Sequence, residues 1–142
     1  MRVKVLKPVV LIAALLAICS PMFAHHGAAA FDMSKPVVLK DATVTQFLWI
    51  NPHPLIKADV TDDKGTVQHW TMEMGSIPAS MLIGWTRNSL KPGDVVTLYV
   101  WQSKTHLPVG RFNKVLFKDG SVLRDTQTGA DNGGRADTDV RY

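Results

Sequence analysis

The sequence predicts a mainly β-sheet domain: a small Greek-key barrel of five or six strands, with one short helix between strands three and four. Two observations support this fold class. Short segments rich in Val, Thr, Ile and aromatic residues follow closely on one another and are separated by turns containing Asp, Gly and Pro. A single stretch with helix-capping signals follows the third segment. This order is the connectivity of an OB-fold, in which the helix closes one end of the barrel. The strand count alone also fits a small sandwich or an SH3-like barrel.

The first three strands are predicted from their residue types and their alternation. Val37 to Trp49 is rich in β-branched and aromatic residues and is long enough to bend. Leu55 to Thr61 alternates apolar and polar residues, and an Asp- and Gly-containing turn at 62–65 leads to a third strand, Thr66 to Met74. Alternation in this third strand predicts two faces, Trp70, Met72 and Met74 on one and His69, Thr71 and Glu73 on the other.

The helix is predicted between Ser76, a suitable N-cap, and Gly84, a suitable stop, with Pro78 in its first turn. Three more strands follow, at Val95 to Gln102, Arg111 to Lys118 and Ser121 to Arg124. We therefore expect a barrel over residues 37–124, preceded by an extended arm at 25–36. Residues 125–142 contain almost no apolar side chain, which predicts a disordered tail.

Residues 1–24 resemble a secretory signal peptide. Three basic residues precede an unbroken apolar run of ten residues, Val9 to Ile18, and the segment ends at the small residue Ala24. A run of ten is too short to span a bilayer, so we expect cleavage after Ala24 and no stable membrane anchor. Cys19 raises the alternative of lipidation, but Ile18 precedes it where a lipoprotein signal has a small residue.

Export changes the charge of the protein. The chain has 16 Lys and Arg against 12 Asp and Glu, and three of the basic residues lie in the signal segment. The mature chain keeps 13 basic and 12 acidic residues, a net charge of +1. This near-neutral charge disfavours nucleic acid as a partner. The only cysteine also lies in the signal segment, so the mature domain depends on its core rather than on a disulfide.

The predicted fold places two histidines near one rim of the barrel. The ligand face of an OB-fold is framed by the loop between strands one and two and the loop between strands four and five. His53 lies in the first loop, between Pro52 and Pro54, and His106 lies in the second. An arm that begins His25-His26 could bring two further imidazoles to the same rim.

Cleavage after Ala24 would give His25 a free α-amine beside its own imidazole. These two nitrogens can chelate one metal ion, and an imidazole from His53 or His106 would complete a planar nitrogen site that suits Cu(II). We therefore predict a copper site built from His25, His26 and His53, with His106 as a fourth ligand. A looser site for copper, nickel or zinc on the mobile His25-His26 pair is the alternative.

Structural roles compete with each of these interpretations. The two N-terminal histidines could be a solvated terminus, His53 could bond loop carbonyls, and His106 could simply face solvent. His69 is expected at the surface or in a cross-strand pair. Met72 and Met74 are expected in the core rather than as copper ligands. Glu73, the only glutamate, either pairs with a lysine or belongs to a binding surface.

The sequence shows no signature of an enzyme. The mature chain contains no cysteine nucleophile, no Gly-rich phosphate loop and no pair of acids that the pattern places together. We therefore predict a binding protein rather than an enzyme. The alternative to copper is a metal-free interaction module that presents Trp49, Asn51, His53 and Glu73 to a small ligand, a peptide, a glycan or an envelope protein.

Several motifs together resemble a family of short exported Gram-negative proteins classed as a domain of unknown function. The resemblance covers roughly residues 24–123, and its motifs are Ala24-His25-His26-Gly27, Phe31-Asp32, Lys35-Pro36-Val37, Trp49-Ile50-Asn51-Pro52-His53, Gly84-Trp85-Thr86-Arg87 and Leu90-Lys91-Pro92-Gly93-Asp94. The family typically has Ser where this chain has Gly27. The resemblance implies a periplasmic protein with a small β-barrel and supplies no activity.

Overall fold

The computed structural model describes residues 28–125 and shows the predicted mainly β-sheet barrel with one short helix. The predicted signal segment, His25, His26 and residues 126–142 lie outside the described residues. The strands are β1 (Val37–Leu48), β2 (Leu55–Thr61), β3 (Val67–Glu73), β4 (Val95–Gln102), β5 (Val109–Leu116) and β6 (Val122–Arg124). Helix α1 (Ile77–Leu82) lies between β3 and β4, as predicted.

The strands form one sheet in the order β3-β2-β1-β4-β5-β6, and an additional pairing of β3 with β5 closes it into a barrel. All neighbouring strands are antiparallel except at this closure, where β3 and β5 run parallel and Thr71 to Glu73 pair with Val109 to Arg111. Strands β3 and β6 therefore share one edge of β5, β3 along its first residues and β6 along Lys114 to Leu116.

Strand β1 pairs with both β2 and β4, and its register shifts once in each pairing. Its register with β4 shifts between Leu39 and Ala42, and its register with β2 shifts between Val44 and Gln46. Asp41, at the first irregularity, has a positive φ of 51°. Bulges of this kind bend a strand and increase its twist, so one strand of 12 residues pairs with neighbours on both sides.

The barrel interior is filled by the inward positions of every strand except β6. The predicted inner face of β3 is confirmed, because Trp70, Met72 and Met74 are all buried. Around them lie further buried apolar side chains, among them Val44, Ile56, Leu98, Val100, Phe112 and Val115. Alternation with a period of two explains most of this arrangement, since it sends every second side chain to the same face. Phe112 and Val115 are three residues apart because the register of β4 and β5 shifts between them.

Helix α1 is short, and Ser80 is its only buried residue. Ser76 caps it, as predicted, and its Oγ accepts a hydrogen bond from the N–H of Ala79 at 3.5 Å. Gly84 follows with a φ of 96°, a left-handed conformation that glycine adopts without steric cost. Trp85 then enters the core, packs edge-on against Phe112 at 5.5 Å, and donates its indole N–H to the carbonyl of Arg124 at 2.7 Å.

A buried carboxylate joins the end of the described chain to the barrel. Asp125 is only 2% exposed. It accepts a hydrogen bond from the N–H of Gly75 at 2.6 Å and forms an ion pair with Arg111 at 2.9 Å. Its own N–H donates to the carbonyl of Asn113. The structure differs here from the predicted tail, which began at Asp125. No helix within residues 28–125 is long and apolar enough to cross a membrane.

Candidate functional site

The loop between β1 and β2 holds His53 on a rigid support. Pro52 and Pro54 restrict the backbone on both sides of the histidine, and the Asn51-Pro52 peptide bond is cis. The side chain of Pro54 is fully buried, and its carbonyl accepts a hydrogen bond from the N–H of Met74 at 2.9 Å. Because Pro54 is fixed to the end of β3, the ring of His53 is held close to the same strand end.

His53 lies beside Glu73, the last residue of β3. The antiparallel register pairs Leu55 with Glu73, which brings the residues just before β2 next to this glutamate. The His53 Nε2 atom lies 3.8 Å from the Glu73 Oε1 atom, and the two side chains are 39% and 42% exposed. Solvent or a ligand can therefore reach the gap between them.

The second nitrogen of His53 is in a different environment. Its Nδ1 atom is buried and has no hydrogen-bond partner within the part of the chain that the structure describes. A buried polar atom without a partner costs roughly 1–3 kcal/mol. This imidazole therefore has unused hydrogen-bonding or ligating capacity.

The loop between β4 and β5 is held by side-chain hydrogen bonds. The Gln102 amide donates to the carbonyls of His106 and Leu107, both at 3.1 Å, and the hydroxyls of Ser103 and Thr105 lie 2.6 Å apart. His106 occupies a left-handed backbone conformation with a φ of 59°, and it is exposed. The loop thus has a defined shape, with the His106 ring in solvent.

The start of the described chain is attached to this second loop. Ala28–Ala30 form one turn of 3-10 helix. The N–H of Lys104 donates to the carbonyl of Ala30 at 3.1 Å, Phe31 makes an isolated β-bridge with Ser103, and the N–H of Asp32 donates to the carbonyl of Gln102 at 2.8 Å. The arm therefore runs along the end of β4 and does not leave the barrel freely.

The arm is further ordered by a small turn. The Ser34 hydroxyl and N–H both donate to the Asp32 carboxylate, at 2.6 and 3.0 Å. The hydroxyl hydrogen bond is the main cause that lowers the pKa of Asp32 from its usual 3.8, followed by the N–H of Ser34, and the positive charges of Lys104 and His106 add to it. Asp32 is thus ionised in the folded protein at neutral pH.

An open groove lies between the arm, the second loop and the outer surface of β3. It has a volume of about 370 Å³, within the size range of small-ligand sites. Its walls are mostly apolar, with a few polar side chains, and it is lined by Ala30, Phe31, Leu55, Thr71, Glu73, Ser103, Thr105, Val109 and Gly110. Thr71 and Glu73 face it because the buried face of β3 carries Trp70, Met72 and Met74.

The predicted site residues fall into three groups. His53 and Glu73 are brought together, but only Glu73 lines the groove, and neither His53 nor the exposed His106 is among its lining residues. Within residues 28–125, no three His, Cys, Asp or Glu side chains form a group that could hold a metal ion. Asn51 is exposed, whereas the half-buried Trp49 packs edge-on against Phe47 at 5.6 Å. His25 and His26 lie outside the described residues.

Sequence reasoning did not identify the groove residues of the arm and of β5. Phe31 and Val109 line the groove only because the arm pairs with Ser103 and because β3 pairs with β5. The one local signal was Asp32-Met33-Ser34, since an Asp followed two residues later by Ser is typical of a side-chain-stabilised turn.

The chain matches a known protein family. A family described as being of unknown function, DUF6152, matches residues 13–111, which is more than half of the chain. The comparison with curated proteins and the comparison with solved structures give no match.

Proposed function

Since the chain belongs to the DUF6152 family, whose function is unknown, we propose its function from the site geometry. The protein is exported to the periplasm, where it binds copper without catalysing a reaction. Its ligands are the α-amine and imidazole of His25 with the imidazole of His53, and His26 stands beside them as a further donor. The observation that carries this proposal is that one groove is bordered both by the N-terminal arm and by Glu73, the neighbour of His53.

The length of the arm supports this arrangement. His25 stands five residues before Ala30, which lines the groove. Residues 28–30 form a 3-10 turn, so only the three residues before it can be extended, and these span up to about 10 Å. The attachment of Ala30 and Asp32 to the second loop fixes the point from which the turn and these three residues start, at the edge of the groove.

The chemistry of the groove also fits. The Nε2 atom of His53 lies 3.8 Å from Glu73, which lines the groove, and its buried Nδ1 atom has no partner among the described residues. The amine and imidazole of a first-residue histidine form a chelate, and nitrogen donors in a plane suit Cu(II). His106 is the fourth ligand predicted from the sequence. It stays a candidate because its loop is hydrogen-bonded to the N-terminal arm.

The decisive experiment compares two N-termini. Protein that begins at His25 is titrated with Cu(II), alongside the same protein with its α-amine acetylated. We expect acetylation to weaken binding by about 100-fold, because it removes the amine as a donor, and loss of groups that merely support a metal ligand already costs about 10–100-fold. Equal affinity of the two proteins would contradict the proposal.

Two histidine variants locate the site in the fold. His53→Ala is expected to weaken Cu(II) binding by about ten-fold or more. His69→Ala is the matched control, since His69 is an exposed histidine paired with Asp59 at 2.6 Å on the neighbouring strands. His69→Ala should bind copper as the unmodified protein does, and His106→Ala tests the remaining predicted ligand in the same assay.

The apolar walls of the groove favour a second candidate function. A metal-free module would bind the side chain of a peptide or a small apolar ligand against Phe31, Leu55 and Val109. In that case a chelator-treated protein would still bind its ligand, and Phe31→Ala would weaken binding while acetylation of the α-amine would not. Amide chemical shifts of Thr71 and Gly110 during ligand titration report this binding directly.

A further inference from the structure

We propose that the groove binds a small amphipathic cation, a molecule with an alkyl body and a primary ammonium head, and that Glu73 selects its positive charge. This inference rests on the metal-free binding function, the second candidate above, and names the class of its ligand. It does not depend on copper.

The charge of the groove is carried by one side chain. Among the described residues that line it, Glu73 alone is charged, and the others contribute apolar side chains, hydroxyls and a glycine. A negatively charged ligand would therefore meet a carboxylate without any basic lining residue, whereas a positively charged ligand would gain a partner. Charge of one sign in a site rejects the wrong ligand by repulsion as well as attracting the right one.

The carboxylate of Glu73 has room for a cationic partner. No hydrogen bond from a described residue reaches it, and the His53 Nε2 atom, 3.8 Å away, is beyond hydrogen-bond distance. Arg111, which pairs with Glu73 across the closure of the barrel, forms an ion pair with the buried Asp125 at 2.9 Å. The charges of Glu73, Arg111 and Asp125 together leave one net negative charge beside the groove.

The walls of the groove fit an alkyl chain whose head lies at Glu73. Phe31, Leu55 and Val109 supply apolar surface, and each methylene that such a surface removes from water contributes up to about four-fold in affinity. Thr71 and Glu73 lie two positions apart on β3 and share one face. A primary ammonium has three N–H donors, so it can donate both to the carboxylate and to the Thr71 hydroxyl.

The groove is bounded, which favours a small molecule over a protein surface. The N-terminal arm and the second loop form one side, joined by the hydrogen bond from the N–H of Lys104 to the carbonyl of Ala30 and by the bridge between Phe31 and Ser103. The volume of about 370 Å³ lies in the range of small-ligand sites. A stable protein partner would instead cover about 800 Å² of surface.

The test titrates the chelator-treated protein with hexylammonium, 1-hexanol and hexanoate, which share a chain length and differ in charge. Amide chemical shifts of Thr71 and Gly110 report binding. A partly exposed ion pair contributes up to about five-fold in affinity, so we expect hexylammonium to bind more tightly than hexanol by about that factor, and hexanoate to bind more weakly than hexanol. The preference should shrink as salt is added, since salt screens exposed charges.

Two variants show whether Glu73 is the cause. Glu73→Gln keeps the size of the side chain and removes its charge, so hexylammonium affinity should fall by about five-fold, to that of hexanol, while hexanol affinity stays unchanged. Asp59→Asn is the matched control, because this carboxylate lies outside the groove lining and contacts His69 Nδ1 at 2.6 Å. It should alter neither affinity. Circular dichroism confirms that both variants are folded.

The outcomes separate this inference from the functions proposed above. If the unmodified protein binds hexylammonium and hexanol equally, or if Glu73→Gln keeps the preference, the inference is wrong and the metal-free function stands. If no probe shifts the two amides, both are wrong. Tighter binding of a lysine-containing peptide than of hexylammonium would identify a peptide ligand and overturn the small-molecule assignment. Copper binding is judged separately, by acetylation of the α-amine.

Discussion

Asp125 stabilises the barrel through a carboxylate that is almost completely removed from solvent. It accepts from the N–H of Gly75 and pairs with Arg111. Removing one partner of a buried ion pair typically costs about 3–5 kcal/mol, because the other charge stays buried. Loss of the Asp125 side chain should therefore cost far more stability than loss of an exposed carboxylate.

We accordingly predict that Asp125→Ala lowers the free energy of unfolding by about 3 kcal/mol, measured by urea denaturation. Asp119→Ala is the control, since Asp119 is exposed and bonds only within its own turn. Equal losses in both variants would show that the buried network is not the cause.

Gly110 lies where two strands approach too closely for a side chain. A Cβ atom at this position would contact the side chain of Val100 and lie 2.6 Å from the carbonyl oxygen of Trp101. Since the backbone of β4 cannot yield easily, we predict that Gly110→Ala destabilises the protein by about 3 kcal/mol, the upper range for overpacking. Val109→Ala, at the exposed neighbouring position, should cost less than about 1 kcal/mol in the same thermal unfolding measurement.

Acid is expected to weaken the turn of the N-terminal arm. The pKa of Asp32 is lowered by Ser34, and a lowered pKa means that the ionised carboxylate stabilises the folded turn. This stabilisation is complete above the unfolded value of 3.8 and is lost as the pH falls through the folded pKa. We predict that Ser34→Ala raises the pKa of Asp32 toward 3.8, measured by NMR titration of the carboxyl carbon.

A second Asp-x-Ser turn, at Asp119 and Ser121, has the same hydrogen bonds and supplies the control. Asp119 also has a lowered pKa, caused chiefly by the hydroxyl of Ser121. Ser121→Ala should raise the pKa of Asp119 and leave Asp32 unchanged, and Ser34→Ala should do the reverse. A shift of both carboxyls in either variant would contradict the local explanation.

At the scale of elements, β6 and Asp125 complete the edge of β5 that β3 leaves uncovered. We predict that truncation after residue 120 lowers the unfolding temperature by about 10 °C or more, since a loss of about 3 kcal/mol shifts a domain of this size by about 4–8 °C per kcal/mol. Truncation after residue 125, which keeps β6 and Asp125, should lower the unfolding temperature much less. Calorimetry of the two truncated proteins measures the difference.

The elements that local patterns define were predicted well. The bounds of β2 and β4 match the prediction because alternation and flanking turns mark them directly. Strand β5 begins at Val109 rather than at Arg111, since its first residues are held by parallel pairing with β3, a contact that no local pattern reveals. The same holds for Asp125, whose partners Gly75 and Arg111 are distant in sequence.

The candidate site was predictable only in part for the same reason. The placement of His53 in the first loop followed from the OB-type strand order, which the structure confirms. The proximity of His53 to Glu73 depends on which residue of β2 pairs with which residue of β3, and alternation does not specify that register. The attachment of the arm to the second loop depends on backbone hydrogen bonds, which any sequence could form.

At the scale of the whole molecule, copper binding should stabilise the fold. A ligand at 100 times its dissociation constant stabilises a protein by about 2.7 kcal/mol. We predict that Cu(II) raises the unfolding temperature of the protein that begins at His25 by about 10 °C. The protein with an acetylated α-amine should show a much smaller shift at the same copper concentration, and equal shifts in both proteins would show that copper binds at another site.

The closure of the barrel has a consequence for how ligand binding can be observed. Only three residues of β3 pair with β5, and two of them, Thr71 and Glu73, also line the groove together with Val109 and Gly110. An occupant of the groove would therefore stabilise the short strand pairing that closes the barrel. Deuterium uptake at the amides of residues 109–111 should slow when a ligand fills the groove. Hydrogen exchange at this strand pairing can therefore detect the binding of any ligand in the groove.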